Sequence, residues 1–559
     1  MSSFGQAAVN LLRKLWNSPY ARSTFPFSRK PTNYLPVPGR RKYFAENGFG
    51  DYGRSGQHKE TFQWILLSGQ AAIFLGINGT PALADDSSIQ LSSENTSGPE
   101  IADLRQVEDG SVVSNIHTSK WRVFTDNARD FFLQGKLDEA EKLFLSALQE
   151  AKEGFGKRDP HVASACNNLA ELYRVKKELN KAEPLYLEAI SILEESFGPD
   201  DIRVGAALHN LGQFYLVQRK LEKARACYER ALKIKRRVLG EGHPDHADTM
   251  YHLGTVMFLE GKEKDAEALV RDSVRILEEA GLGESFTCLR RLQYLAQIYT
   301  MSNQIAEAEN IQRKILHRME LSKGWTSLDT VIAAERLALT LQSVVNLKEA
   351  EELLERCLDA RKTLLPEDHI ETAANMLYIA RVKKLKSNQL RKKNVPQAME
   401  ELERAKGLLS NSIRVARKVL VQLRKQNRNQ QPHGVVRNIA KNEHSAMLIL
   451  LQSLNALASL EITKLELQES MDEDRPVFEA EKILHECMST FKEFGTETSL
   501  SSSPEVKTEY LSCLKHLLAL INDNSTASVK QSRKAALEEL KDEIKHVEVE
   551  ISATRKRRS

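Results

Sequence analysis

Small and apolar residues between positions 128 and 358 recur with a fixed period of 42 residues. One series consists of six alanines: Ala140, Ala182, Ala224, Ala266, Ala308 and Ala350. A second series keeps the same step: Ala128, Ala170, Gly212, Gly254, Ala296 and Ala338. Large apolar residues follow in register, as at Phe131, Tyr173 and Tyr215. A fixed period of this size predicts an array of stacked supersecondary units.

Each unit of the array is predicted to be a pair of helices. Apolar residues recur at helical spacing in residues 166–173 and again in residues 179–193. Alanine or glycine is expected where paired helices cross, because a minimal side chain lets two backbones approach closely. One pair cannot bury its apolar face alone, so stacked pairs must share a continuous core. The pattern therefore predicts an all-α solenoid of helix-turn-helix repeats.

Glycine and proline mark the helix ends with nearly the same period. Gly156, Gly198 and Gly240 are predicted to end three second helices, because glycine accepts a left-handed backbone. Proline follows such ends, where it prevents the helix from continuing. These prolines are Pro160, Pro199, Pro244 and Pro366.

The repeat resembles the tetratricopeptide repeat, in the long-period form typical of the kinesin light chain family. The matching residues are Asn167–Ala170, Tyr228–Leu232 and the linker Leu239–Asp245. The resemblance covers residues 120–410 and implies a right-handed superhelix that binds protein partners in its concave groove. In kinesin light chains the groove asparagines bind cargo peptides, and Asn167, Asn168 and Asn210 carry that resemblance.

The residues expected to line the groove were placed by counting from the small residues of each first helix. Side chains that do not take part in helix packing are expected to point into the groove and bond to an extended peptide. A merely solvated face is the alternative. The groove residues are Asn167, Asn168, Glu171, Arg174, His209, Asn210, Gln213, Tyr251, Thr255, Arg290, Gln293 and Gln297.

The N-terminal residues have the composition of a targeting segment. Residues 1–44 contain eight basic and no acidic residues, and residues 7–16 form a short amphipathic pattern. This composition is typical of a transit peptide, with a processing site predicted near residues 41–45. A disordered basic tail is the alternative. We expect a mitochondrial protein, associated with the inner membrane; the chloroplast thylakoid and the cytosol are the other locations considered.

Residues 45–84 contain an uncharged stretch, at about 61–84, for which three interpretations stay open. Its apolar part, residues 62–77, is short for the ~20 residues of a membrane span. It is interpreted as a single membrane anchor, as a second signal cut after Ala84, or as a helix packed on the array. As an anchor it would place the repeats across the membrane from the N-terminus, because basic residues precede it and acidic residues follow it.

The remaining segments were assigned from periodicity and composition. Residues 85–118 are expected to be a flexible linker, and residues 119–410 an array of about seven repeats with an insertion at 384–394. Residues 411–525 are predicted to hold a degenerate repeat and capping helices, with residues 509–521 closing the array. Residues 526–559 are predicted to be a solvated charged helix or short coiled coil with a basic tail.

No motif for catalysis, cofactor binding or nucleic-acid recognition is evident in the sequence. The net charge is only +4, and the basic clusters lack interleaved aromatic residues. His243 and His246 have no evident third ligand, so no metal site is predicted. The six cysteines are scattered and are expected to be reduced core residues.

The sequence therefore predicts a non-catalytic scaffold in an organelle that helps to assemble or maintain a membrane-associated complex. Protein segments are the expected partners, with no nucleic acid and no cofactor, while the oligomeric state stays open. A cytosolic kinesin light chain-like adaptor is the main alternative, although residues 1–118 show no heptads. An enzyme within residues 411–559 would need clustered polar groups that the sequence does not offer.

Overall fold

The computed structural model describes residues 116–428, 433–468, 476–495, 503–523 and 534–558. The predicted transit peptide, the uncharged stretch at 61–84 and nearly all of the linker lie outside these residues. The described residues are helical apart from short turns, and they divide into two compact units at residues 283 and 284. We call residues 116–283 the N-terminal unit and residues 284–558 the C-terminal unit.

The N-terminal unit consists of four antiparallel helix pairs. The helices are α1 (Ile116–Gln134), α2 (Leu137–Phe155), α3 (Pro160–Lys176), α4 (Leu179–Phe197), α5 (Ile202–Val217), α6 (Leu221–Leu239), α7 (Pro244–Leu259) and α8 (Glu263–Glu279). Each helix packs against the next, and the first helices α3, α5 and α7 also contact one another in turn. The sequence prediction of stacked helix-turn-helix repeats in an all-α fold is confirmed.

The C-terminal unit begins with two further repeats of the same kind and continues with longer helices. Its helices are α9 (Phe286–Met301), α10 (Ile305–Lys323), α11 (Leu328–Ser343), α12 (Leu347–Leu364), α13 (Ile370–Leu390), α14 (Val395–Arg428), α15 (His433–Gln468), α16 (Pro476–Gly495), α17 (Pro504–Asp523) and α18 (Lys534–Arg558). The predicted insertion at 384–394 lengthens α13 to 21 residues, against 16 in α11. Helix α14 runs through position 410, where the period was expected to fail.

The residues of the repeating pattern lie where the helices cross. All six alanines of the first series are fully buried, and Ala170 and Ala296 are buried as well. Gly212 and Gly254 are also buried, and a Cβ atom on either would lie within 3.0 Å of a side chain of the paired helix. The small residues are therefore required by close helix contact.

The turns between paired helices each hold one residue with a positive φ angle. These residues recur with the same 42-residue step: Gly135, Lys177, Arg219, Gly261, Asn303 and Val345. The glycines that end second helices, Gly156, Gly198 and Gly240, have φ angles of 87–88° as predicted, but their ψ angles near 160° place them outside the left-handed helical region. A β-branched residue rarely adopts positive φ, so Val345 is the unusual member of the series.

The C-terminal helices differ from the sequence prediction at the end of the chain. Helix α17 contains residues 509–521, but α18 packs on it through buried residues such as Leu540, Ile544 and Val547. The expectation that the charged helix is solvated is therefore wrong, because one apolar side of α18 belongs to the core. Charged side chains of α18 stay exposed, as at Glu548, which pairs with Lys515 of α17 at 2.7 Å.

One described segment, Asn442–Leu467 of α15, is long and apolar enough to cross a membrane, and 72% of its most apolar window is buried within the protein. Its leucines pack against α14, α16 and α17. This segment is the central core helix of the C-terminal unit.

Cys487 on α16 and Cys513 on α17 form a disulfide, whereas Cys166, Cys227, Cys288 and Cys357 are free. The expectation that all six cysteines are reduced is wrong for this pair. The two residues are 26 positions apart in the sequence, and packing of α16 on α17 brings them together.

Candidate functional site

Nine of the predicted groove residues lie on the first helices α3, α5 and α7, and all are buried. None of Asn167, Asn168, Glu171, Arg174, His209, Asn210, Gln213, Tyr251 and Thr255 is more than 6% exposed. The assumption that these side chains do not take part in packing is therefore wrong. Successive first helices contact each other, so the polar side chains between them are enclosed. We call this set the inner polar seam.

The other three predicted groove residues, Arg290, Gln293 and Gln297, lie on α9 in the C-terminal unit. All three are only half-buried. They recur at helical spacing along one side of α9, as i, i+3 and i+7 positions do. They are the most exposed side chains of the predicted set, and their role in binding stays a prediction.

A buried ion pair anchors one end of the seam. Arg174 donates to Glu171 from Nε at 3.1 Å and from Nη2 at 2.6 Å, and the Tyr186 hydroxyl donates to the other carboxylate oxygen of Glu171. Burial opposes ionisation of Arg174, but the charge of Glu171 raises the pKa of the guanidinium above its ordinary value. Burial and the same carboxylate raise the pKa of Tyr186. The polar groups of Glu171, Arg174 and Tyr186 are thus bonded to one another, which indicates a structural role for these side chains.

Residues 43 positions apart meet along the seam. The Asn210 amide donates to Asn167 Oδ1 at 3.1 Å, and the rings of His209 and His252 lie 5.1 Å apart at 83°. Each pair joins neighbouring first helices. The separation of 43 residues is one more than the repeat period of 42. Neighbouring first helices therefore contact each other through nearly equivalent positions of the repeat.

A cluster of three residues of metal-binding types, His209, Asp248 and His252, lies at the end of the seam formed by α5 and α7. His209 Nε2 lies 3.4 Å from Asp248 Oδ2, and His252 Nε2 lies 4.0 Å from the same oxygen. One ligand-type atom from each of the three residues falls within 4.8 Å of the others. Both histidine side chains are less than 10% exposed, whereas Asp248 is 29% exposed and connects the cluster with solvent.

Thr249 fixes the orientation of the His209 ring. The Thr249 hydroxyl donates to the Asp245 carbonyl oxygen at 3.2 Å, so its oxygen accepts a hydrogen bond from His209 Nδ1 at 3.0 Å. The proton of His209 is thereby placed on Nδ1, and the lone pair is placed on Nε2. The Gln213 amide donates to this Nε2 at 2.9 Å. His209 therefore presents a basic nitrogen toward Asp248.

Tyr228 and Lys235 of α6 border the cluster. The Tyr228 ring stacks on His252 with centroids 5.8 Å apart, and burial raises the pKa of Tyr228 well above its ordinary value. Lys235 Nζ donates to the Asp245 carbonyl at 3.3 Å. Burial lowers the pKa of Lys235, while the carboxylates of Asp248 and Asp245 act in the opposite direction.

Sequence reasoning missed Asp248, Thr249 and His252 and considered His243 and His246 instead. His243 accepts the Asp245 N–H at 3.1 Å as the cap of α7, whereas His246 Nδ1 bonds to the Glu241 carbonyl at 3.0 Å. These two rings do not converge. The sequence feature that indicates the cluster is the 43-residue separation of His209 and His252. This separation places the two residues side by side on the neighbouring first helices α5 and α7.

Tetratricopeptide repeat family models match the chain in two regions. One model matches residues 122–195, 162–216 and 203–279, and a second matches residues 330–371. These segments are tetratricopeptide repeats, as the sequence resemblance implied. The repeat class supports a protein–protein interaction scaffold, and proteins of this class are generally non-catalytic. No curated protein matches the chain significantly.

Several solved structures resemble parts of the chain. One is a putative kinesin light chain of Podosopora anserina with nearly identical tetratricopeptide-like repeats, at 20% identity, over 37% of this chain and 99% of that chain, with a TM-score of 0.35. Another is BtubC from P. vanneervenii, at 15% identity over 57% and 95%, with a TM-score of 0.25. A third is a signal transduction ATPase with a tetratricopeptide repeat sensor from Pyrococcus horikoshii, at 12% identity over 69% and 49%, with a TM-score of 0.41.

Proposed function

We propose that this tetratricopeptide-repeat protein is a non-catalytic scaffold that binds segments of partner proteins and helps to assemble or maintain a membrane-associated complex in an organelle. The observation that carries the scaffold part is the repeat class itself, matched at residues 122–279 and 330–371. Because such arrays present extended surfaces built from many repeats, partner binding is their usual use.

The partner segment is proposed to contact α9 first. Arg290, Gln293 and Gln297 are half-buried, so each can change its contacts without breaking a helix pair. Amide and guanidinium groups bond readily to the backbone and side chains of an extended peptide. The inner polar seam is proposed to hold the first helices of the N-terminal unit in register through its buried hydrogen bonds.

Co-purification tests this surface. A full chain with Arg290→Ala, Gln293→Ala and Gln297→Ala is expected to lose partner proteins that the unaltered chain retains from intact organelles. Lys314→Ala, Leu321→Ala and Ser322→Ala on the second helix α10 form a matched control, which is expected to retain them. Equal recovery with both triple variants would contradict the proposed surface.

The organelle part of the proposal is supported by composition and by one covalent bond. Residues 1–44 have eight basic and no acidic residues, as transit peptides do. Disulfides persist in oxidising compartments, and Cys487–Cys513 supports a location of the repeats beyond the matrix or stroma. The proposed location is the mitochondrial inner membrane, with the thylakoid as the alternative.

The mature N-terminus of the protein purified from cells tests the location. A start at Phe44–Glu46 is the expected result of a single cleavage and leaves residues 62–77 as an anchor. A start at Asp85 would mean that a second signal was removed and that the repeats are not anchored by this segment. An intact Met1 would contradict the organelle proposal and favour the cytosolic adaptor.

A further inference from the structure

We propose that His209, Asp248 and His252 bind one divalent transition-metal ion of the Zn²⁺ class. The ligands are the Nε2 atoms of both histidines and one carboxylate oxygen of Asp248. This inference goes beyond the proposed scaffold function, because it assigns a chemical site within the N-terminal unit that partner binding does not require.

The distances suit a small tetrahedral ion. Zn²⁺ binds imidazole nitrogen and carboxylate oxygen at ~2.0–2.2 Å. Two ligands of one tetrahedral ion are therefore about 3.4 Å apart, by the same bond lengths. His209 Nε2 and Asp248 Oδ2 already have this separation, at 3.4 Å, and His252 Nε2 is 4.0 Å from the oxygen. Completing the set requires His252 Nε2 to move closer to Asp248 Oδ2 than its 4.0 Å separation.

The residue types select the class of ion. Two imidazoles with one carboxylate suit Zn²⁺, Co²⁺ or Ni²⁺, whereas Mg²⁺ and Ca²⁺ prefer sites made of oxygen atoms. Asp248 and His252 are four positions apart on α7, which places both on one side of that helix. His209 completes the set from α5. Such a metal ion would join two successive repeats directly.

The surroundings of His209 resemble those of a metal ligand. A ligating histidine usually donates its other ring N–H to an oxygen, which fixes the tautomer and the ring orientation. Thr249 supplies that oxygen at 3.0 Å from Nδ1, and the Thr249 hydroxyl is itself committed to Asp245. Thr249 is therefore assigned as a positioning residue. A bound ion must displace the Gln213 amide from Nε2.

Access and charge are consistent with the assignment. The exposed part of Asp248 gives an ion a path from solvent to two histidines that are otherwise enclosed. The positive charge of Lys235 opposes a cation here, but its Nζ donates to the Asp245 carbonyl oxygen at 3.3 Å. The carboxylate of Asp248 supplies the negative charge at the site.

Titration of the chelator-treated full chain with Co²⁺ tests the proposal, because tetrahedral Co²⁺ gives a visible absorption band. One Co²⁺ per chain is expected to produce the band, and one Zn²⁺ to remove it. His209→Ala, His252→Ala and Asp248→Asn are each expected to weaken Co²⁺ binding ~100-fold or more. Thr249→Val is expected to weaken it ~10–100-fold, as loss of an outer partner does.

His117→Ala is the matched control. The only other described cluster of this kind is His117, Glu150 and Glu153, which is more exposed and has Lys120 Nζ 3.4 Å from Glu150. Co²⁺ binding is expected to be unchanged in this variant. A chain that binds no Co²⁺ saturably, or that loses the band with His117→Ala, would overturn the assignment.

A histidine variant that does not fold cannot report on metal binding, so Asp248→Asn provides a second test. The substitution is nearly isosteric at a partly exposed side chain. Zn²⁺ is expected to raise the melting temperature of the unaltered chain and of His117→Ala, because binding to the folded state stabilises it. The melting temperature of Asp248→Asn is expected to stay constant. An equal rise in Asp248→Asn would overturn the proposal.

Discussion

Gly212 on α5 and Tyr228 on α6 lie closer together than a side chain at position 212 would permit. A Cβ atom on Gly212 would lie 2.8 Å from Cε1 of the Tyr228 ring, which is fully buried. The ring has no room to withdraw, because it is packed against the rings of His209 and His252. Glycine at this position therefore serves helix contact rather than backbone flexibility.

Gly212→Ala is expected to destabilise the folded chain. Overpacking a well-filled core costs ~1–3 kcal/mol, and the better helix propensity of alanine offsets at most ~1 kcal/mol of this. Thermal unfolding followed by circular dichroism measures the difference. Gly407→Ala in α14 is the control, since a Cβ atom there meets nothing within 4 Å. The free energy of unfolding of the control is expected to rise by ~0.5–1 kcal/mol. A similar decrease in both variants would contradict the packing argument.

Val345→Asn is expected to stabilise the C-terminal unit. Val345 has a φ angle of 66°, which costs an ordinary L-residue ~1–2 kcal/mol, whereas asparagine tolerates it. Asn303 occupies the equivalent turn position one repeat earlier. We expect a gain of about 1 kcal/mol in the free energy of unfolding, measured by chemical denaturation. Val344→Asn, at a neighbouring exposed valine with a φ angle of −90°, should bring no gain; an equal effect would remove the conformational explanation.

Alkylation of the cysteines tests the disulfide and the burial of the free thiols. Burial raises the pKa of Cys166 and of Cys357 to about 12, so neither thiol should react with iodoacetamide in the folded chain at neutral pH. In denaturant without reductant, mass spectrometry should find four labelled cysteines of the six. Reduction before labelling should give six. Six labels without reductant would contradict the Cys487–Cys513 bond.

Glu505 gives the C-terminal unit a specific dependence on acid pH. Burial opposes its ionisation, but the His444 imidazole, with Nε2 3.8 Å from the carboxylate, and a hydrogen bond from the Ser503 hydroxyl lower the pKa of Glu505 to about 2, from an ordinary value of 4.5. A carboxylate with a lower pKa in the folded state stabilises that state above pH 4.5, and this contribution is lost as the pH falls toward 2.

Glu505→Gln measures this contribution by urea denaturation at several pH values. The difference in the free energy of unfolding between the unaltered chain and the variant is expected to be largest above pH 5 and to shrink between pH 4.5 and pH 2. Glu486→Gln, at a carboxylate on α16 that pairs with Arg417 outside this cluster, serves as control. A Glu505→Gln difference that stays constant with pH would show that the carboxylate is not the titrating group.

The sequence was sufficient for the features that the repeat period determines. The helix pairs, the buried alanines and the positive φ angles of Gly156, Gly198 and Gly240 all follow from local pattern. The enclosure of Asn167 and His209 does not, because it depends on how closely successive first helices approach. A groove position and a buried position look alike in one helix, and only the neighbouring helix distinguishes them.

Long-range contacts account for the other departures. The Cys487–Cys513 bond and the packing of α18 on α17 join segments that share no period. His252 was within reach of sequence reasoning, since its 43-residue offset from His209 repeats the offset of Asn210 from Asn167. Asp248 was not, because a half-exposed aspartate on a first helix carries no distinguishing pattern.

Site-specific photo-crosslinking in cells tests most directly whether a protein partner binds at the predicted groove residues of α9. A photoreactive residue replaces Gln293 or Gln297 in the full chain, and Leu321, which is 71% exposed on the second helix α10, carries it as control. A discrete adduct with another protein is expected at positions 293 and 297 and not at 321. Adducts that are absent at positions 293 and 297, or equally strong at 321, would contradict the proposed scaffold surface.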